Sequence, residues 1–277
     1  MLVTLTEVID GVKGKECAIP AFNVFGYEDA AAVIAAAEQL GAPVILATNK
    51  VAIEHMPIQH LGKLLCSMAE SASVPVCVHL DHGKDYETVA EAIMHGYSSV
   101  MYDGSQLPLA ENIRTTQEIV KMAHACGIPV EAEIGSVGYS DPSMNVKACY
   151  TEPEEARTFA EETGVDALAV AVGSVHRMEE QTAEIQFDRL QAIQDLVETP
   201  LVIHGSTGIT DEDVKRLVTF NVVKVNIGTA IRMAFGHTLR EEMNRQPRQF
   251  DRITLFQRPM QAVQDAAVKK MKLLGLG

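Results

Sequence analysis

Three of the nine histidines, His82, His176 and His204, each follow a short apolar run. A lone histidine in such a place is usually a satisfied structural residue. Three at equivalent places suggest more, because three imidazoles and one open position suit a catalytic zinc ion. They lie 94 and 28 residues apart and form no local motif. Asp81 sits beside the first of them. Its carboxylate is placed either to move a proton to or from a substrate hydroxyl or to hold a histidine tautomer. More polar residues end other apolar runs: Asp103-Gly104-Ser105, Glu131-Ala132-Glu133 and Asn226-Ile227-Gly228-Thr229. Packing alone gives no reason for them, since apolar residues there would be cheaper to desolvate.

Two further segments suggest an anion seat. Gly205-Ser206-Thr207-Gly208 and Asn226-Ile227-Gly228-Thr229 each precede a helical pattern. Backbone N–H groups at such a junction, with a helix N-terminus behind them, favour phosphate, and glycine admits close approach. Ordinary turn chemistry is the plain alternative. Neither segment is a P-loop, because the Lys-Ser/Thr ending is missing. The first apolar run ends Phe22-Asn23-Val24. It therefore lacks the His-x-His that an amidohydrolase-type barrel carries there.

These residues need a scaffold that brings them together. Eight short apolar runs recur, at 18–22, 44–48, 76–80, 99–102, 129–134, 167–172, 201–204 and 222–225. Several are apolar and β-branched at consecutive positions, as in strands buried on both faces. Helical patterns alternate with them. Residues 27–41 start with Glu28 and Asp29 and stop at Gly41 with Pro43 beyond; residues 110–127 close on Gly127 and Pro129. Thr151 and Glu154 read as a capping box for a helix through Thr163, and Thr210 with Asp213 as a second helix start. Eight strand–helix units over residues 1–277 predict one α/β domain, a closed (β/α)8 TIM barrel, with an open doubly wound sheet as runner-up. The long connections 135–150 and 173–189 follow strands, which places them at the catalytic face of a barrel.

Composition narrows the function further. Hydrophobic residues make up 47% of the chain, enough for a large core. The formal charge is −14 with no basic tract, which argues against nucleic acid. No apolar stretch is long enough to span a membrane, and the start lacks a secretory pattern. Five cysteines without a Cys-x-x-Cys read as reduced thiols, small buried apolar residues in a cytoplasmic protein.

Taken in order, Ala21-Phe22-Asn23, His79-Leu80-Asp81-His82, Asp103-Gly104-Ser105, Glu131-Ala132-Glu133-Ile134-Gly135, Val172-Gly173-Ser174-Val175-His176, His204-Gly205-Ser206-Thr207-Gly208 and Lys224-Val225-Asn226-Ile227-Gly228-Thr229 resemble the class II, zinc-dependent fructose- and tagatose-bisphosphate aldolases. Each motif alone is weak; the ordered set is specific and spans nearly the whole chain. The resemblance implies a lyase that cleaves a phosphorylated ketose into dihydroxyacetone phosphate and an aldehyde. It implies zinc on His82, His176 and His204, with Asp103 and Glu133 as an alternative metal position. Asp81 matches the acid/base at the C4 hydroxyl. Gly205, Ser206, Thr207, Asn226, Gly228 and Thr229 match the dihydroxyacetone phosphate seat, Asn23 a residue facing the aldehyde half, and Asn49 a further substrate contact. A monovalent cation near the phosphate, and a homodimer or homotetramer, are implied on the same basis.

Three departures stand out. The family's mobile Gly-Gly-x-Glu-Asp loop reads Gly138-Tyr139-Ser140-Asp141-Pro142, so Asp141 stands in for the second acid/base with a side chain one methylene shorter. The residue after the second ligand is Arg177 rather than glycine, a cation placed either to meet a substrate anion or simply to face solvent. At the usual distal-phosphate arginine the chain has Met260, with Arg258 two residues earlier. A ketose 1-phosphate with a different C6 group is therefore a candidate substrate beside the 1,6-bisphosphates. The altered loop also keeps open a non-catalytic sugar-phosphate-binding barrel, an accessory subunit of an aldolase. A metal-dependent isomerase or epimerase is weaker, since it needs two proton carriers. Lys224 is the one rival for a Schiff-base mechanism.

Overall fold

The computed structural model describes residues 1–140 and 146–277. Ten strands occur among them: β1 (Ile19–Asn23), β2 (Val44–Thr48), β3 (Val76–Gly83), β4 (Ser99–Tyr102), β5 (Val130–Ile134), β6 (Gly138–Tyr139), β7 (Ala167–Val170), β8 (Val175–His176), β9 (Leu201–Ile203) and β10 (Val222–Ile227). Eight close into a barrel in the order β1-β2-β3-β4-β5-β7-β9-β10, with β10 back on β1. Every barrel pairing is parallel. The predicted closed barrel is therefore the fold, and the open sheet is not. Strands buried on both faces explain the unbroken apolar runs.

The helices that return the chain use the expected end signals. Tyr27–Leu40 carries Glu28 and Asp29 in its first turn and stops at Gly41 in a left-handed conformation, φ 60°. Asp211–Leu217 is capped by the Thr210 side chain, which accepts from the Asp213 N–H. The expected capping box at Thr151 is absent. Glu152 is the N-cap of Pro153–Thr163 and makes no side-chain cap bond. Thr151 is instead buried: its hydroxyl donates to the Ile134 carbonyl at 2.6 Å and accepts from Ala171 N–H at 2.8 Å. The hydroxyl spans β5 and the end of β7, so it is not available to the helix.

Two local features shape the barrel mouth. β6 and β8 leave the barrel and pair with each other in parallel, Gly138 opposite Val175 and Tyr139 opposite His176. This ties the two long connections together above the cavity. In β3 the register to β4 shifts between Leu80 and Gly83, and His82 takes φ 55°. Consecutive strand residues normally face opposite ways. The irregularity lets Asp81 and His82 both line the same cavity.

Helix Arg252–Leu273 packs on Thr229–Arg245 and on Tyr27–Leu40. No helix among the described residues is long and apolar enough to cross a membrane. The five cysteines are unpaired; Cys17 and Cys77 are buried as expected, but Cys126 and Cys149 are exposed, because they fall at the end of a helix and in a surface connection.

Candidate active site

A cavity of about 280 Å³ opens at the C-terminal ends of the barrel strands. Asn23 reaches it from the end of β1, Asn49 from after β2, Asp81 and His82 from β3, and Asp103 from after β4. Glu133 comes from β5, His176 from β8 with Arg177 just after it, and Gly205, Ser206 and Thr207 from the turn after β9. Asn226, Gly228 and Thr229 complete the ring from β10 and the helix after it. His204 is fully buried beneath the floor. One expected residue is not brought in. Arg258 is not among the lining residues; its guanidinium is 2.8 Å from Glu242 on the neighbouring helix. Asp141 lies outside the described residues.

The three histidine rings meet edge to face. The His82 ring centre is 5.1 Å from that of His176 and 4.6 Å from that of His204. Hydrogen bonds behind the rings set the tautomers. His82 Nδ1 is 2.8 Å from Asp103 Oδ2, and His204 Nε2 is 2.9 Å from Glu131 Oε1. A carboxylate only accepts, so each of those nitrogens carries the hydrogen. The opposite nitrogens, His82 Nε2 and His204 Nδ1, then face each other at 2.9 Å. Two lone pairs that close need a proton or a cation between them. Burial opposes charge on His82, but Asp81, Asp103 and Glu133 outweigh it and push its imidazolium up to about 9. Burial and the other two imidazoles hold His176 well below the usual range.

The residues therefore fit a metal. One nitrogen of each of the three histidines lies within 4.8 Å of the others, and the same holds for a second set, His82, Asp103 and Glu133. Glu133 adds an independent sign: its Oε2 is buried with no hydrogen-bond partner. Burial and the Asp103 charge push that carboxyl up to about 8, as expected where a compensating cation belongs.

Asp81 is almost fully buried, yet both its oxygens are served. Asn23 Nδ2 donates to Oδ2 at 2.7 Å and Asn226 Nδ2 to Oδ1 at 2.9 Å. Burial acts against its charge, but His82, His204 and Lys224 hold it far below the ordinary carboxylate range. It is a poised acceptor beside His82.

Sequence reasoning named Glu131 and Lys224 singly but missed the layer that they form together. Glu131 and Lys224 are fully buried, with the Lys224 ammonium 2.8 Å from Glu131 Oε2. On the partly buried rim Arg177 was expected and Tyr139 stood in the altered loop, while Lys84 and Arg232 were missed. The Tyr139 ring lies 4.7 Å from that of His176, and the Arg177 guanidinium is 5.7 Å from the Tyr139 ring centre. Lys84 pairs with Asp103, and Arg232 lines the cavity with its guanidinium over Phe25.

Opposite the carboxylates, the turn after β9 and the helix Thr229–Arg245 converge. Thr207 Oγ1 accepts from Ala230 N–H at 3.2 Å, joining the two. Gly205 has φ 67°, and an added Cβ there would sit 2.7 Å from the Val175 backbone. At Gly228 it would meet Asn23 Oδ1 at 2.9 Å. Backbone thus requires glycine at 205, while at 228 a side chain would force Asn23 to shift. Backbone N–H groups at the helix start, with Arg232 near, make this end of the cavity suited to an anion.

The sequence matches the family model described as fructose-bisphosphate aldolase class-II over residues 3–276. Among solved structures it is similar to the YdjI aldolase of Escherichia coli K12, with 34% identity, a TM-score of 0.89, and coverage of 100% of this chain and 98% of that one. A Coccidioides immitis protein, solved as a candidate fructose-1,6-biphosphate aldolase, shares 29% identity at TM-score 0.87, over 98% of this chain and 96% of its own. The fructose-bisphosphate aldolase of Campylobacter jejuni has the same fold at 22% identity and TM-score 0.85, over 99% of this chain and 95% of its own.

Proposed function

Since the chain belongs to the class II fructose-bisphosphate aldolase family, we propose that it is a zinc-dependent enzyme that cleaves a phosphorylated ketose into dihydroxyacetone phosphate and an aldehyde. The observation that carries this is the meeting of His82 Nε2 and His204 Nδ1 at 2.9 Å, with His176 beside them and Asp81 alongside. Zinc on His82, His176 and His204 supplies, when bound, a Lewis acid for the negative charge left on the ketone oxygen.

The chain's own residues do the rest. Asp81 accepts the C4 hydroxyl proton while the O–H electrons form the aldehyde and the C3–C4 pair stays with the three-carbon fragment. Asn23 and Asn226 fix both oxygens of Asp81, so the acceptor needs no reorganisation. Gly205, Ser206, Thr207, Gly228 and Thr229 seat the 1-phosphate, with Arg232 adding charge. Asn23 faces the aldehyde half, and Asn49 and Arg177 are further substrate contacts in the same cavity. Asp141 is assigned the proton that C3 gains, from its place in the family's loop. Asp103 and Glu133 offer the metal a second position through His82. The substrate set is fructose and tagatose 1,6-bisphosphate and ketose 1-phosphates altered at C6. Assembly as a homodimer or homotetramer, cytoplasmic location and a monovalent cation at the phosphate belong to the same reading.

Lys224 does not line the cavity and is held by Glu131 and Asn226, which favours the metal over an imine. Two treatments separate the mechanisms. A chelator should abolish turnover and zinc restore it, while borohydride added with substrate should leave the enzyme active. Inactivation by borohydride would overturn the proposal.

A further inference from the structure

Lys224 is fully buried in the barrel interior, yet it is more than a partner for one acid. Its ammonium donates to Glu131 at 3.1 Å to Oε1 and lies 2.8 Å from Oε2. It also donates to Asn226 Oδ1 at 2.6 Å. Two chains of contact leave it. Through Glu131 Oε1, the first reaches His204 Nε2 at 2.9 Å. Through the Asn226 amide, the second reaches Asp81 Oδ1 at 2.9 Å.

Each chain fixes an orientation. Lysine can only donate. It therefore claims the Asn226 oxygen and turns that amide's NH2 toward Asp81. It also keeps Glu131 an acceptor, so His204 must carry its hydrogen on Nε2 and offer Nδ1 to the metal. Without the lysine, Glu131 would be a buried carboxylate with no cation to hold it against His204. The Asn226 amide would lose the partner that sets its direction.

We infer that Lys224 is a positioning residue that orients the metal ligand His204, through Glu131, and the proton acceptor Asp81, through Asn226. The inference rests on the proposed zinc aldolase reading, but its metal half can be read without catalysis.

The test compares the wild type with Lys224→Met and with the neutral pair Lys224→Met/Glu131→Gln. Zinc affinity is measured by competition with a chromogenic chelator, and dihydroxyacetone phosphate release is measured on zinc-saturated protein. Lys224→Met should weaken zinc binding roughly 10- to 100-fold, the range for loss of a partner behind a ligand. The neutral pair should regain zinc affinity to within about threefold of wild type, since a glutamine carbonyl still accepts from His204. Its zinc-saturated kcat should stay at least roughly tenfold down with KM little changed, because Asn226 remains unanchored. A merely structural lysine would lower melting temperature without this split. If Lys224→Met does not fold, the neutral pair alone decides. Wild-type zinc affinity with a depressed kcat supports the inference. Lost zinc affinity, wild-type kcat or failure to fold overturns it. Should the wild type release no dihydroxyacetone phosphate from any substrate, the aldolase reading falls while the zinc comparison still judges the His204 arm.

Discussion

Asp81 and His82 are neighbours in sequence, and both face the cavity because β3 breaks its register there. The proposed division of labour makes one a proton acceptor and the other a metal ligand. Asp81→Asn should then lower kcat by about 10²- to 10⁴-fold while zinc content, measured by atomic absorption, stays near one per chain. An equal loss of zinc would make Asp81 a support for His82 instead. At this scale the sequence was legible where a polar residue ended an apolar run. The deeper residues followed a different signal that alternation alone could have exposed. His79 and Asp81, Glu131 and Glu133, and Lys224 and Asn226 are each two apart on a strand, so each pair shares one face. Such pairs inside apolar strands are costly unless they meet one another. Which pairs meet depends on register around a closed barrel, and that is not a local property.

At the scale of the element, helix ends were read correctly where the capping side chain had no other partner, as at Thr210. Thr151 fits the same pattern but is claimed by two barrel strands. A true capping box stands at Thr4 and Glu7, a pair of the same Thr-x-x-Glu form. The two cases separate by substitution. Asp is an excellent N-cap, so Thr151→Asp would be tolerated if Thr151 were one. Buried between β5 and β7, the charge should instead cost about 3 kcal/mol or more in urea unfolding. The turn before the helix Thr229–Arg245 makes a second test. Gly228→Ala would press on Asn23 Oδ1, and Asn23 holds Asp81. Turnover should drop roughly 10- to 100-fold, since small displacements near reacting groups are expensive. The midpoint of thermal unfolding should barely move. An unaltered rate would show that the turn has slack.

For the molecule as a whole, the barrel was legible because eight apolar runs and eight helical patterns admit few arrangements. The pairing of β6 with β8 was not, being two residues from each of two long connections. The apolar core is continuous around the barrel, so the chain is predicted to fold without metal. Chelator-treated protein should keep its far-ultraviolet circular dichroism and unfold cooperatively. Free zinc at 100 times Kd should then add about 2.7 kcal/mol of stability. Collapse on chelation would mean that zinc is structural. The central claim is tested most directly by dihydroxyacetone phosphate release, followed through a coupled reductase, from zinc-loaded protein. The panel is fructose 1,6-bisphosphate, tagatose 1,6-bisphosphate and ketose 1-phosphates altered at C6. Release from at least one, lost with chelator and with Asp81→Ala, is the predicted result. Full zinc loading with no release from any of them would contradict the account and make the chain a sugar-phosphate-binding barrel.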